Sequence, residues 1–327
     1  MEAEIVARAG LPFRAIHGAG LHAVGVQLPL NLLRLGWGFF EALGVVRAYQ
    51  PDVLLVTGGF ISVPVALAAW LNRVPVLVYL PDIEPGLAVR LIGRVARRIA
   101  VTVDDSRSYF GGRVGKVVVT GYPTRPGLAK ATRSAAQAHF GLEPGRPVLL
   151  VTGGSRGARS LNRAVLAALP DWLADYQVIH ISGRLDWPAV EQAQQALPSE
   201  QRARYRAFPF LHEMGQALAA ADLVVSRAGA SALGEYPLFG LPAILVPYPY
   251  AWRYQKVNAD YLVRRGAAVL LNDVDLAERL ARDVRELLGD PARLASMRTA
   301  ARAAARPGAA ANIVHELAQL AGGGARP

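Results

Sequence analysis

The chain has 327 residues, with 36 Lys and Arg against 25 Asp and Glu, a formal net charge of +11 and no cysteine. That length suits two domains of ordinary size and buries on the order of 75% of the unfolded surface, so no covalent staple is needed. The absence of cysteine excludes disulfides and thiolate metal sites and fits a reducing cytoplasm. The basic balance favours anionic partners such as phosphates or an acidic membrane face.

The opening Met1-Glu2-Ala3-Glu4 is acidic where a secretory signal is basic. Residues 28–40 follow with Leu30, Leu32, Leu33, Leu35, Trp37, Phe39 and Phe40 around Arg34. A basic, aromatic-rich helix of this kind suits a membrane interface better than a span. The same leucines also read as core. Residues 53–71 are uncharged and close to span length, yet Gly58, Gly59, Ser62 and Pro64 interrupt them. A strand at 53–57, a glycine turn and a helix at 62–72 explain this stretch better.

Further strands are expected at 74–79, 99–103, 117–120, 148–152, 178–181, 223–226, 243–246 and 267–271, with helices between them. Their near-continuous Val, Ile and Leu suit strands covered on both faces. The alternation predicts an α/β architecture with parallel sheets. Asp82 and Glu84, flanked by Pro81 and Pro85, are the acids best placed to act as a base; they also read as solvated loop acids. Arg90, Arg94, Arg97 and Arg98 form a basic patch suited to anionic lipid. The Pro- and Gly-rich run 121–126 separates one strand series from the next. The expected division is therefore a first domain at 1–125 and a second at 126–306, with the last helix, within 307–321, packing back on the first.

Two glycine turns have the form of phosphate sites. Gly153-Gly154-Ser155-Arg156-Gly157-Ala158 joins a buried strand to a helix expected at 158–169. Glycines let backbone N–H groups approach an oxyanion closely, and the helix start adds free donors and positive dipole. Arg227-Ala228-Gly229-Ala230-Ser231-Ala232-Leu233-Gly234-Glu235 repeats the arrangement, with Glu235 one turn into its helix and able to accept bonds from ribose hydroxyls. Both turns fall at the carboxyl ends of strands, where open α/β sheets bind ligands. Neither is a dinucleotide fingerprint or a Walker loop. Asp273-Val274-Asp275 has the look of a metal-binding pair, but its place before a helix makes Asp275 a better N-cap, and no metal site is expected.

Together these segments resemble the MurG family of GT-B glycosyltransferases. The match rests on Gly153 to Ala158, on Arg227 to Glu235, on Arg253, Gln255 and Asn258, and in the first half on Pro51-Asp52-Val53 leading to Gly58-Gly59-Phe60-Ile61-Ser62 and on Gly121-Tyr122-Pro123-Thr124-Arg125. The resemblance implies two doubly wound Rossmann-like domains facing a cleft. It implies inverting, metal-independent transfer of N-acetylglucosamine from UDP-N-acetylglucosamine to an undecaprenyl-diphospho-muramyl peptide, giving lipid II for peptidoglycan synthesis, and with it cell-wall biogenesis, cell shape and division. Arg125, Gly154 and Ser155 would meet the diphosphate, and the backbone at Leu211 the uracil. Ala230, Ser231, Ala232, Leu233 and Gly234 would present a helix start, Glu235 would hold the ribose, and Gln255 the sugar hydroxyls. No cofactor and no nucleic-acid partner are implied. The setting is the cytoplasmic face of the plasma membrane, against anionic inner-leaflet lipid.

Departures from the family pattern bear on the acceptor. The family's opening Gly-Gly-Thr-Gly-Gly-His loop has no counterpart, which amounts to roughly 30 residues, one βα unit. Asp82 and Tyr122 replace asparagines, and Leu80 stands where the family has glutamate. Asp82 is the base this sequence offers. His17 and His22 read as surface histidines. Two rivals remain: a GT-B transferase for another lipid acceptor, such as a diacylglycerol, and a non-catalytic UDP-sugar-binding protein that depends on a partner.

Overall fold

The computed structural model describes residues 3, 6–7, 9–18, 27–154, 157–250 and 253–322, without the side chains of 27–30 and 32. The chain divides into two units. One holds the described residues up to Leu80, Pro85–Val119 and the stretch from Asn312 on. The other holds Pro81–Glu84 and Thr120–Ala311.

The first unit opens with α1 (Gln27–Tyr49) and alternates β1 (Leu54–Val56), α2 (Ser62–Leu71), β2 (Val76–Leu80), α3 (Leu87–Val95), β3 (Arg98–Val101) and β4 (Val117–Val119). The four strands pair in parallel in the order β1-β2-β3-β4. Every residue of β2, Val-Leu-Val-Tyr-Leu, is buried, as a parallel strand covered on both faces requires. Val76, Val78, Ile99 and Val101 face a core shared with Ala42, Val46, Ala66 and Ile92 of the helices. Ile313, Leu317 and Leu320 cover Leu77, Tyr79 and Ala100.

The second unit carries α4 (Arg133–Phe140), β5 (Val148–Thr152), α5 (Arg159–Asp175), β6 (Gln177–Ile181), α6 (Trp187–Ala196), α7 (Ser199–Ala203), β7 (Tyr205–Phe208), α8 (Met214–Ala220), β8 (Leu223–Ser226), α9 (Glu235–Phe239), β9 (Ala243–Leu245), α10 (Tyr254–Arg264), β10 (Ala268–Leu270), α11 (Leu276–Leu288) and α12 (Pro291–Ala304). The last helix, α13, spans Ala309–Gly322. Its six strands lie parallel in the order β10-β9-β8-β5-β6-β7. The first strand of the unit, β5, is therefore central, and the winding reverses between β5 and β8. The crevice outside the carboxyl ends of such a pair is where doubly wound sheets take their ligands. Both glycine turns leave from these two strands.

The sheet is locked at the opposite end by Asp222, which enters β8. Its carboxylate takes the Val148 N–H (3.0 Å), two bonds from Arg133 (2.9 and 2.6 Å) and one from Arg298. Burial pushes this carboxyl up, but Arg133, the Val148 amide and Arg298 outweigh it and hold it below the usual carboxylate value.

Strand β7 was not among the expected elements. It is short, sits at the sheet edge and alternates buried with half-buried positions around Arg206, so it lacks the continuous apolar run of the inner strands. The helix expected to begin at Ala230 also differs. Residues Ala230–Leu233 form a 3-10 turn, and α9 begins at Glu235. Pro237 explains the start: it has no N–H to donate and fits a helix only within the first turn.

Candidate functional site

The turn after β5 is shaped by its glycines. Gly154 and Gly157 adopt φ of +82° and +76°, in the left-handed region that side chains disfavour. A Cβ at Gly157 would collide with the Ser182 carbonyl, and one at Gly153 with the Ala158 backbone. This close packing brings the chain into α5, whose N-cap residue Ala158 makes no side-chain capping bond. The start of a long helix carries N–H donors without an intrahelical partner and the positive end of its dipole, which suit an anionic ligand. Ser155, expected here as a diphosphate contact, lies outside the described residues, as does Arg156.

The turn after β8 is braced by side chains. Arg227 donates to Asp273 (2.5 Å), to the Ser160 hydroxyl (2.8 Å) and to the Val246 carbonyl (3.3 Å), and its guanidinium lies 5.4 Å from the Tyr248 ring centre. Ser160 in turn donates to Asp273 (2.7 Å). Asp273 thus serves a half-buried arginine. Asp275 stands at the N-cap position of α11 but makes no capping bond with its side chain; it accepts from Asn272 (3.0 Å) instead. Among the described residues no group of three or more His, Asp or Glu is placed to hold a metal ion.

Both turns line one cavity of about 1140 Å³ within the second unit. Arg125, Gly154, Leu211, Ser231, Glu235 and Gln255, all singled out from the sequence, are on its wall. Ala232 and Leu233 are buried in the core, and Gly234 packs against the Tyr122 ring so closely that a Cβ would strike it. Ala230, in the same 3-10 turn, is half-buried and not on the wall. Gln255 accepts a bond from the Tyr248 N–H (2.8 Å), which fixes the loop that carries Tyr248 and Tyr250. Burial raises the Glu235 carboxyl above its usual value, and Arg125 opposes the rise. Burial also raises the Tyr122 hydroxyl, with Glu235 and Asp82 adding to it and Arg125 opposing.

The segment 81–84 belongs to this unit, and its two acids differ. Glu84 is buried and accepts two bonds from Arg253, at 2.5 and 2.6 Å, so its lone pairs are committed to an ion pair. Asp82 accepts one bond from Asn258 (2.8 Å), and burial raises its carboxyl while that bond lowers it. Asn258 also takes the Ile83 N–H (3.2 Å) and donates to the Ala228 carbonyl (3.2 Å), tying Asp82 to the second glycine turn. Neither acid is a solvated loop residue: Glu84 is buried and Asp82 half-buried. In the first unit His17 pairs with Glu41 through its backbone N–H and its ring, both at 2.7 Å; His22 lies outside the described residues.

Arg159, Arg163, Asp186, Arg227, Tyr248 and Asp273 also line the cavity and were not foreseen there. Arg227 had a signal in its own glycine-rich segment. The partners that aim it, Ser160 and Asp273, are distant in sequence.

A parallel doubly wound sheet whose reversal point opens on a glycine turn and the start of a long helix, with a second parallel α/β unit beside it in the chain, is the architecture of the GT-B glycosyltransferases. Residues 148–313 match the glycosyltransferase family 28 C-terminal domain, and residues 1–101 match the family 28 N-terminal domain. A UDP-N-acetylglucosamine–N-acetylmuramyl-(pentapeptide) pyrophosphoryl-undecaprenol N-acetylglucosamine transferase of Roseiflexus sp. is 42% identical, over 98% of this chain and 81% of its own. The enzyme of that name from Desulforudis audaxviator is 39% identical over 100% of this chain and 89% of its own. The crystal structure of Acinetobacter baumannii MurG shares the fold, with a TM-score of 0.76, 22% identity and coverage of 98% of this chain and 88% of that one. The chain belongs to glycosyltransferase family 28 and, within it, to the MurG family.

Proposed function

We propose that this chain transfers N-acetylglucosamine from UDP-N-acetylglucosamine to the 4-hydroxyl of undecaprenyl-diphospho-muramyl pentapeptide, with inversion, giving lipid II. One observation carries the reading: both glycine turns, Arg125 and Glu235 line a single cavity at the reversal point of the second sheet. The diphosphate rests against the open start of α5 and Arg125, and Glu235 accepts the ribose hydroxyls. In the transfer the acceptor oxygen forms a bond to the anomeric carbon as the bond to the β-phosphate oxygen breaks, and UDP leaves. The leaving charge falls on groups already oriented to receive it, the α5 amides and Arg125, so the step runs without a metal ion.

Asp82 is the base that takes the acceptor proton. Burial brings its carboxyl closer to the working pH, which suits proton removal, and Asn258 fixes its orientation. Glu84 is excluded from that role by its bidentate pair with Arg253.

The first unit meets the lipid-linked acceptor at the cytoplasmic membrane face. Among the described residues no helix is long and apolar enough to cross a membrane. Leu33, Trp37 and Phe40 of α1 and Trp70 and Leu71 of α2 are exposed, and Arg34, Arg94 and Arg97 are exposed on the same unit. Exposed aromatics with arginines suit insertion at an anionic interface, where each cation adds about 1 kcal/mol.

The test is a transfer assay with UDP-N-acetylglucosamine and the lipid-linked muramyl pentapeptide, run with and without a chelator. The expected result is β-linked disaccharide product at an unchanged rate after chelation. Donor hydrolysis without transfer, or transfer only to another lipid, overturns the reading; a strict magnesium requirement overturns the metal-free step.

A further inference from the structure

Behind the pocket wall lies a run of buried polar side chains that the transfer chemistry leaves unused. His180, in β6, is fully buried. Its Nδ1 is 2.7 Å from the Tyr205 hydroxyl of β7, and its Nε2 is 3.0 Å from Asn162 Oδ1 of α5. Asn162 Nδ2 is 2.9 Å from both the Ser182 carbonyl and Asp186 Oδ2. The other carboxylate oxygen of Asp186 accepts the Arg159 Nε–H at 3.0 Å. Asp186 and Arg159 both line the cavity.

These partners allow one assignment of protons. A carbonyl and a carboxylate only accept, so both must face the amide NH2 of Asn162. Its Oδ1 then faces His180, whose Nε2 must carry the hydrogen. That leaves Nδ1 to accept from Tyr205. The ring stays neutral at working pH, because burial pushes it down to about 4. Donation thus runs in one direction, Tyr205 to His180 to Asn162 to Asp186. The Ser182 carbonyl is the atom against which Gly157 packs, so Asn162 holds the loop 182–186 and the first glycine turn through the same amide.

We propose that Tyr205, His180 and Asn162 are positioning residues for nucleotide binding: they hold the Asp186–Arg159 pair on the pocket wall and aim the Arg159 guanidinium at the bound nucleotide. The proposal rests on the nucleotide-site reading above. Alone, a buried His–Asn–Tyr network would fill a core; here its directed end is the pocket wall. A merely structural network would weaken the fold without coupling to Asp186.

The experiment is a titration of the full chain with UDP by calorimetry, using Asn162→Ala, Asp186→Ala and the double variant, together with a nitrogen NMR spectrum of the His180 ring. Each single change is expected to weaken UDP about tenfold, and the double change also about tenfold rather than a hundredfold, because residues that act through one another are not additive. The ring is expected as the Nε2–H tautomer in the parent. If Asn162→Ala fails to fold, Tyr205→Phe removes the first donor of the same chain; it should weaken UDP while Asn162 still holds the ring as the Nε2–H tautomer. Additive losses, UDP binding unchanged in Asn162→Ala, or an Nδ1–H ring in the parent overturns the inference. A parent chain that binds no UDP overturns the nucleotide reading itself.

Discussion

The cavity wall of the second unit and the α1–α2 face of the first treat side chains in opposite ways. In the cavity, polar groups converge and are held by partners far away in sequence: Arg227 by Asp273 and Ser160, Asp186 by Asn162. On α1 and α2, large apolar groups stand in solvent; Trp37 is 65% exposed and Phe40 69%. Their neighbours Ala42 and Val46 are buried in the unit's own core. The contrast separates a preorganised small-molecule site from a surface whose free energy is gained only against another apolar phase.

The two regions should therefore fail independently. Replacing Trp37 and Phe40 together with glutamate should abolish binding to anionic liposomes, a loss of about 3 kcal/mol or more from two aromatic side chains, while UDP affinity by calorimetry stays put. Conversely, Glu235→Ala should weaken UDP by about 1–3 kcal/mol, the worth of hydrogen bonds to a charged acceptor, with sedimentation on liposomes unaltered. Cross-talk in either direction would erase the distinction between the regions.

Smaller effects sharpen the picture inside the second unit. Asp222→Asn should cost about 1–2 kcal/mol of unfolding free energy, discounted because Arg133 and Arg298 are both over a third exposed. The Asp222 carboxyl lies below its ordinary value when folded, so its contribution is complete above the unfolded pKa, about 3.9, and is lost as pH falls through the folded one. The gap between parent and variant in urea melts should be flat at neutral pH and close only in strong acid. Glu235 runs the other way. Its carboxyl is raised, so protonation begins at a higher pH than for an ordinary glutamate. UDP affinity should start to fall on mild acidification, and Glu235→Gln should remove that dependence in a pH series of titrations.

Much of this could be read before any coordinates. The inner strands declare themselves by runs such as Val148-Leu149-Leu150-Val151, and the two glycine turns by small residues placed where a strand ends. What could not be read depends on pairing across distance. Glu84 and Asp82 look alike in sequence, two residues apart in one proline-flanked loop. Only the arrival of Arg253 and Asn258, more than 160 positions later, commits one to an ion pair and leaves the other as a candidate base. Asp186 gave no signal, since its meaning comes from Asn162 and Arg159 on a different helix. Strand β7 was hidden by its edge position, where alternation with a charged residue replaces continuous apolarity.

The central placement of β5 and β8 also sets an order of events for the nascent chain. Within the second unit, strands β5, β6 and β7 leave the ribosome before the others and can pair among themselves, yet one side of β5 then presents unpaired backbone groups until residues 223–226 are made. The ligand crevice therefore does not exist in any early intermediate, and the strand that completes it is also the one that covers the most adhesive edge of the growing sheet.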